Sequence, residues 1–260
     1  MLTAGEIAGL KNDLRDFYNN FPKYTTIGSF YQITKLSSDS KYIKYIMKYI
    51  EPDMKVLDLG MGSGIITMEI ARIAREVIGV DIASRIVDFA AALKNIEIKR
   101  YKLIEDFKRK NYNTSNIENV SYQVDDAENL SFKDNTFDLI ISQDVIEHLP
   151  APIRAINHML RCLKPRGRLI LVLHTPIIDT NLNIDSWKKD ISKMKNKDAV
   201  SKMNYNVLQT WFKRNKIKII EYEIIYNSKF VNNITNTFKF YKGAKFLEQY
   251  EDTIILVIEK

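Results

Sequence analysis

Short apolar runs punctuate the chain at 56–59, 77–80, 120–124, 137–142 and 168–173, each bounded by glycine, acidic or turn residues. Runs of that length predict strands buried on both faces, as in a parallel sheet. Between them apolar residues recur at helical spacing. Ile66, Ile70, Ile73 and Ala74 mark a helix over 65–75; Ile86, Val87, Ala90 and Leu93 begin another over 84–110; Ile156, Leu160 and Leu163 mark 152–163. Ahead of these, Ile7, Leu10, Leu14, Phe17 and Tyr18 predict a helix ended by Phe21-Pro22. Ser40 is positioned to cap a further helix carrying Ile43, Ile46, Met47 and Ile50, stopped before Pro52. Near the other end, 207–213 reads as a helix, 217–226 as a sixth strand with alternating exposure, and 252–258 as a seventh strand.

The first strand runs directly into Gly60, Gly62 and Gly64, so the local unit is strand, glycine loop, helix. Glycine suits a sharp turn that a ligand must approach closely, and a loop at a helix start can offer backbone N–H groups to a nucleoside-type ligand. The spacing departs from the dinucleotide fingerprint, because Ile65 stands where that pattern wants its last glycine. The second strand ends in Asp81, about 20 residues beyond the first glycine, the distance at which an acid reaches a ribose diol. Three more blocks follow: Asp125-Asp126-Ala127-Glu128 with Leu130 and Phe132, then Gln143-Asp144-Val145-Ile146-Glu147-His148-Leu149, then Lys164-Pro165-Arg166-Gly167. In the last, Pro165 presets one turn dihedral and Gly167 is expected to supply the positive one.

As a set, these blocks resemble the class I S-adenosylmethionine-dependent methyltransferases over about residues 40–175. The resemblance implies a Rossmann-like α/β fold: a seven-stranded, mostly parallel sheet with helices on both faces and an antiparallel last strand. An N-terminal helical segment (1–50) and insertions after strands five and six would be added to it. It also implies S-adenosyl-L-methionine as cofactor. Asp58 would anchor the loop or face the methionine ammonium, Asp81 with neighbouring Ile82 would meet the ribose, and Asp126 would accept the adenine amino group. A carboxylate suits that place because the amino group is a pure donor. Asp125 is the competing assignment. Ala127 would offer its N–H to the ring, and Ser142 or Gln143 would touch the methionyl part through backbone. In the family, a variable N-terminal segment covers the cofactor, which makes Tyr24, Phe30 and Tyr31 candidates here. The stretch 175–204 with Trp187 would be a lid, and the aromatic stretch 227–250 would line the acceptor pocket.

Methyl transfer from a sulfonium is an in-line displacement, so the protein chiefly positions the acceptor and excludes water. An alcohol or phenol acceptor also needs a base or a metal. His148 and His174 are the candidate bases, and His158, mid-helix, reads as structural. No metal is assigned; the alternative is Asp144, Glu147 and His148, which resemble the acid-x-x-Glu-His block of quinone-biosynthesis O-methyltransferases.

Composition changes this picture little. A net charge of +7 permits an RNA partner, but lysine is spread along the whole chain and reads as solvated surface. A small-molecule acceptor is therefore the first expectation, with RNA methylation and a non-catalytic cofactor-binding module as alternatives. Cys162, the one cysteine, excludes an internal disulfide and a cysteine-based zinc cluster. No apolar run approaches the about 18 residues of a membrane span, and the N-terminus has no signal-peptide pattern. The expectation is a cytoplasmic protein without membrane insertion. Oligomeric state is not legible.

Overall fold

A computed structural model describes residues 4–20, 41–106, 117–175, 205–225 and 252–260. Among the described residues there are seven strands: β1 Lys55–Leu59, β2 Glu76–Asp81, β3 Val120–Val124, β4 Phe137–Gln143, β5 Leu163–Thr175, β6 Lys218–Ile225 and β7 Asp252–Glu259. The helices are α1 Ala4–Asn20, α2 Lys41–Met47, α3 Ile65–Ala71, α4 Ser84–Asp106, α5 Pro152–Cys162 and α6 Tyr205–Arg214. They surround one sheet of order β3-β2-β1-β4-β5-β7-β6. Strands β1 to β5 pair in parallel, while β7 runs antiparallel to both β5 and β6. The Rossmann-like sheet and its antiparallel seventh strand are as expected.

Alternate residues of each strand feed two cores, the period of the pleat. Leu57, Ile140, Leu169 and Leu171 pack with Ile156 and Met159 of α5 and Leu208 and Phe212 of α6. Val56, Leu139, Ile141 and Ile170 pack on the other face with Ile46 of α2 and Ile70 and Ala71 of α3. Leu139, Ile140 and Ile141 are wholly buried. Each such side chain contributes about 2 kcal/mol by leaving water, which is why these runs are continuously apolar. Among the described residues, no helix is long and apolar enough to cross a membrane.

Two local expectations are corrected. Helix α3 ends at Ala71 and does not run on to Arg75. Asn119 stops it: its side-chain amide donates to the carbonyls of Ala71 (3.1 Å), Ala74 (2.7 Å) and Arg75 (3.2 Å), groups a helix end leaves without partners. In the Lys164–Gly167 block the positive φ belongs to Arg166 (64°), not to Gly167. Gly167 is needed for space instead, since a Cβ there would lie 2.8 Å from the Lys164 carbonyl and 3.1 Å from that of Asp138. The aromatic candidates Tyr24, Phe30 and Tyr31, the proposed lid with Trp187, and the stretch 227–250 lie outside the described residues. So do the side chains of α4 from position 97 onward.

These roles separate in a stability measurement. Gly167→Ala is expected to destabilise by about 1–3 kcal/mol, the usual cost of overpacking. Arg166→Gly should leave stability unchanged or raise it by up to about 1 kcal/mol, since glycine carries no left-handed penalty. Chemical denaturation of both variants checks the pair.

Candidate active site

The C-terminal ends of β1, β2 and β4 are level. Leu59 lies opposite Val80 on one side and Ser142 on the other. Strand order reverses between β1 and β4, where an open α/β sheet leaves a crevice for ligands. A cavity of about 450 Å³ opens there, lined by the glycine loop, Asp58, Asp81, Ile82, Asp125, Asp126, Ala127, Gln143 and His148. Helix α1 closes one wall with Lys11, Leu14 and Tyr18.

All three loop glycines have positive φ: 73° at Gly60, 53° at Gly62 and 74° at Gly64. At Gly60 a Cβ would meet Val145 Cγ2 at 2.1 Å, so the loop lies directly against the segment after β4. Gly64 caps α3 away from the cavity wall, under the Tyr122 hydroxyl that donates to its carbonyl (3.2 Å). The expectation of free loop amides is corrected. Gly60 and Met61 N–H donate to the Val80 carbonyl (2.8 and 3.1 Å), Gly64 N–H to the Met61 carbonyl (3.0 Å), and Gly62 N–H to Asp81 Oδ2 (3.3 Å). The loop gives a ligand close approach, while its amides hold the loop's own shape.

Asp81 also accepts from Ala83 N–H at 3.0 Å, which fixes its carboxylate at the mouth of β2. Two of its roughly four acceptor sites are thereby used. Burial raises its pKa, against the pull of those backbone donors. Asp58 is buried and accepts the Thr67 hydroxyl at 2.6 Å. Burial pushes its carboxyl up to about 6, the Thr67 bond opposing and the nearby Asp81 charge adding.

The two adjacent acids divide their work. Asp125 is spent on the loop, accepting from Asp126 N–H (2.9 Å), Ser131 N–H (3.1 Å) and Ser131 Oγ (2.9 Å). Asp126 caps the 3-10 turn Ala127–Asn129 by accepting Glu128 N–H at 2.9 Å, and its other oxygen takes Lys11 Nζ at 2.7 Å. Ser142 is buried in β4 and does not line the cavity; Gln143, the next residue, does. His148 lines it from the turn Ile146–His148, its ring edge-on to Tyr18 at 6.5 Å. His174 lies on β5 opposite Thr253, with its side chain outside the described residues. His158 stands 3.5 Å from Arg161 on α5, and burial together with that cation lowers its pKa, in keeping with a structural role. The Asp144, Glu147 and His148 alternative is not formed: among the described residues no three such side chains gather to hold a metal. Glu147 is turned into the protein, 4% exposed, and Asp144 takes a strained positive φ of 54°.

A model of a methyltransferase domain matches residues 57–171. Over that stretch the chain is similar to the methyltransferase domain family. It is 32% identical over 127 residues to an uncharacterized methyltransferase of Schizosaccharomyces pombe, covering 47% of this chain and 41% of that protein. It is 30% identical over 128 residues to a ubiquinone biosynthesis O-methyltransferase of Coxiella burnetii, covering 47% of each. The matched stretch thus spans about half the length of these curated relatives. The solved structure of YcgJ from Bacillus subtilis superposes with a TM-score of 0.57 at 19% identity, over 84% of this chain and 96% of the other.

The cavity also contains residues that motif reading missed. Lys11, Leu14 and Tyr18 share one face of α1, and that spacing was the only signal. Glu128 was quoted as part of a block and given no task, yet it is wholly buried. Asp58 supplies a pH test. Its folded pKa lies above the ordinary value of 3.8, so its proton is retained on folding. Below about pH 4 both states are protonated, and from there to about pH 6 the unfolded state ionises first, so this group's contribution to stability falls as pH rises. Denaturation midpoints of wild type and Asp58→Asn across pH 4–7 should diverge in that sense, the variant gaining relative to wild type.

Proposed function

We propose that the cavity binds S-adenosyl-L-methionine and that the protein transfers its methyl group to a small-molecule acceptor. One observation supports this reading: three carboxylates, Asp58, Asp81 and Asp126, line one cavity, and that cofactor presents three donors. Asp58 would face the ammonium, Asp81 the ribose diol and Asp126 the adenine amino group, with Ala127 N–H at the ring and Gln143 beside the methionyl part. A buried acid whose pKa is pushed up lacks a cation, and the ammonium would supply it. The bound cofactor contributes an already activated methyl group, so the chain's residues have mainly to orient the acceptor and exclude water.

The acceptor would enter where His148, Leu149 and Pro150 meet Tyr18, an end of the cavity that is apolar and aromatic. His148 would take a proton from a hydroxyl acceptor there, and His174 near the end of β5 is the second candidate. The O-methyltransferase named among the relatives favours an oxygen acceptor over nitrogen or carbon. A cytoplasmic location accords with the lone buried Cys162.

Calorimetric titration with S-adenosylhomocysteine, with NAD as control, tests the reading. Wild type should bind the former in preference. Asp81→Ala should weaken binding about 100-fold, because two hydrogen bonds to a charged group are worth roughly 3 kcal/mol together. At pH 6 binding should also release protons, since an ammonium beside Asp58 favours its ionised form. The heat should then depend on the buffer's ionisation enthalpy, and Asp58→Asn should abolish that dependence. Preference for NAD would overturn the proposal.

A further inference from the structure

Helix α1 is tied to the rest of the site at three points. At its C-terminal end the Asn19 side chain accepts the Arg85 amide at 3.1 Å, and the Asn19 carbonyl accepts the Arg85 guanidinium at 3.2 Å. Tyr18 stands edge-on to His148. Lys11, two turns earlier on the same face, reaches across the cavity to two acids, with Nζ 2.7 Å from Asp126 Oδ2 and 2.9 Å from Glu128 Oε2. Its side chain is only 15% exposed and that of Glu128 is 0% exposed. Ion pairs on open surface are worth little, but a carboxylate buried this deeply is costly without a cation. The other Glu128 oxygen takes the Ala151 N–H at 2.7 Å, which leaves Oε2 to Lys11. Lys11 is also the one ammonium among the described residues of the cavity wall.

The oxygen that Lys11 holds on Asp126 is the one a ligand would need. Oδ1 is committed to the Glu128 N–H that caps the following turn, so Oδ2 is the oxygen left for an exocyclic amino group. A base amino group and an ammonium are both pure donors and compete for it. We propose that Lys11 is a latch that ties α1 over the nucleoside end of the cavity, and that an incoming amino group displaces it from Asp126 Oδ2 and leaves it on Glu128. The latch itself stands on geometry alone, while the rivalry rests on the reading of the cavity as a nucleoside site. Opening of α1 at Lys11 then precedes both entry and exit, so the latch sets the rates of exchange more than the final affinity.

The variant that tests this replaces cation and buried acid together, Lys11→Met with Glu128→Gln, so that no unpaired charge is left inside. In the ligand-free protein, backbone amide hydrogen exchange across residues 5–20 should quicken roughly tenfold, with exchange in β1 and β4 unchanged. Lys11→Arg, which keeps a cation, should restore most of the protection. Stopped-flow displacement of S-adenosylhomocysteine should show dissociation faster by roughly tenfold in the double variant, equivalent to about 1.4 kcal/mol, and association faster as well. Unchanged exchange in α1, or an increase spread equally over the sheet, would overturn the latch. Faster α1 opening with unchanged ligand rates would overturn the rivalry. Failure of the wild type to bind S-adenosylhomocysteine would overturn the cofactor reading and the rivalry with it, while the ligand-free exchange would still decide the latch.

Discussion

The site depends on one constraint, that backbone hydrogen bonding in the parallel sheet brings β1, β2 and β4 to an end at the same level. Each buried N–H and C=O of these strands must be paired, and the register that pairs them places Leu59 beside both Val80 and Ser142. A slip of one residue would turn Leu57 and Ile140 from one core to the other, so burial on both faces locks the register. Because the ends are level, residues far apart in the chain meet: Asp58 and Asp81 on neighbouring strands, Gln143 at the end of the third and His148 just beyond it. The Val80 carbonyl then accepts two amides of the glycine loop, which ties the loop's shape to the same register.

That frame gathers negative charge. Asp58, Asp81, Asp125, Asp126 and Glu128 all border one cavity, and Lys11 answers two of them. The remaining charge is tolerated in different ways. Asp81 is solvated by backbone N–H groups, Asp125 is spent on its own loop, and Asp58 is buried with its affinity for a proton raised. A cavity arranged in this way is complementary to a ligand rich in donors and carrying positive charge. Strain lies beside it as well: Asp144, immediately after β4, holds a φ of 54° while its N–H is bonded to the Val172 carbonyl at 3.0 Å. Such backbone conformations persist where surrounding structure enforces them, and they occur often at sites of function.

The chain's linear pattern determined a good deal. Unbroken apolar runs such as 139–141 announced strands covered on both sides, and helical spacing on α3, α4 and α5 announced what covers them. Glycines at alternate positions, with Asp81 and the acid pair downstream, announced a nucleoside-type site before any contact was known. These features are local: each follows from the conformational freedom of one residue or the period of a few.

What only the tertiary structure decided is which atoms are already taken. Asp125 and Asp126 are equivalent on paper, and hydrogen bonds to Ser131 and to Lys11 tell them apart. Arg166 rather than Gly167 bends the chain because the carbonyls of Lys164 and Asp138 crowd the glycine, and those carbonyls come from β4 and the start of β5. Lys11 gave no sign of its task, since a lysine on an N-terminal helix looks like any other solvated charge. Its partners lie 115 positions away or more, and only the folding of α1 against the finished sheet brings the ammonium to a buried acid. Periodicity is a property of neighbours in sequence, whereas desolvation and charge pairing are properties of neighbours in space. The first is legible in the chain, and the second exists only once the chain has folded.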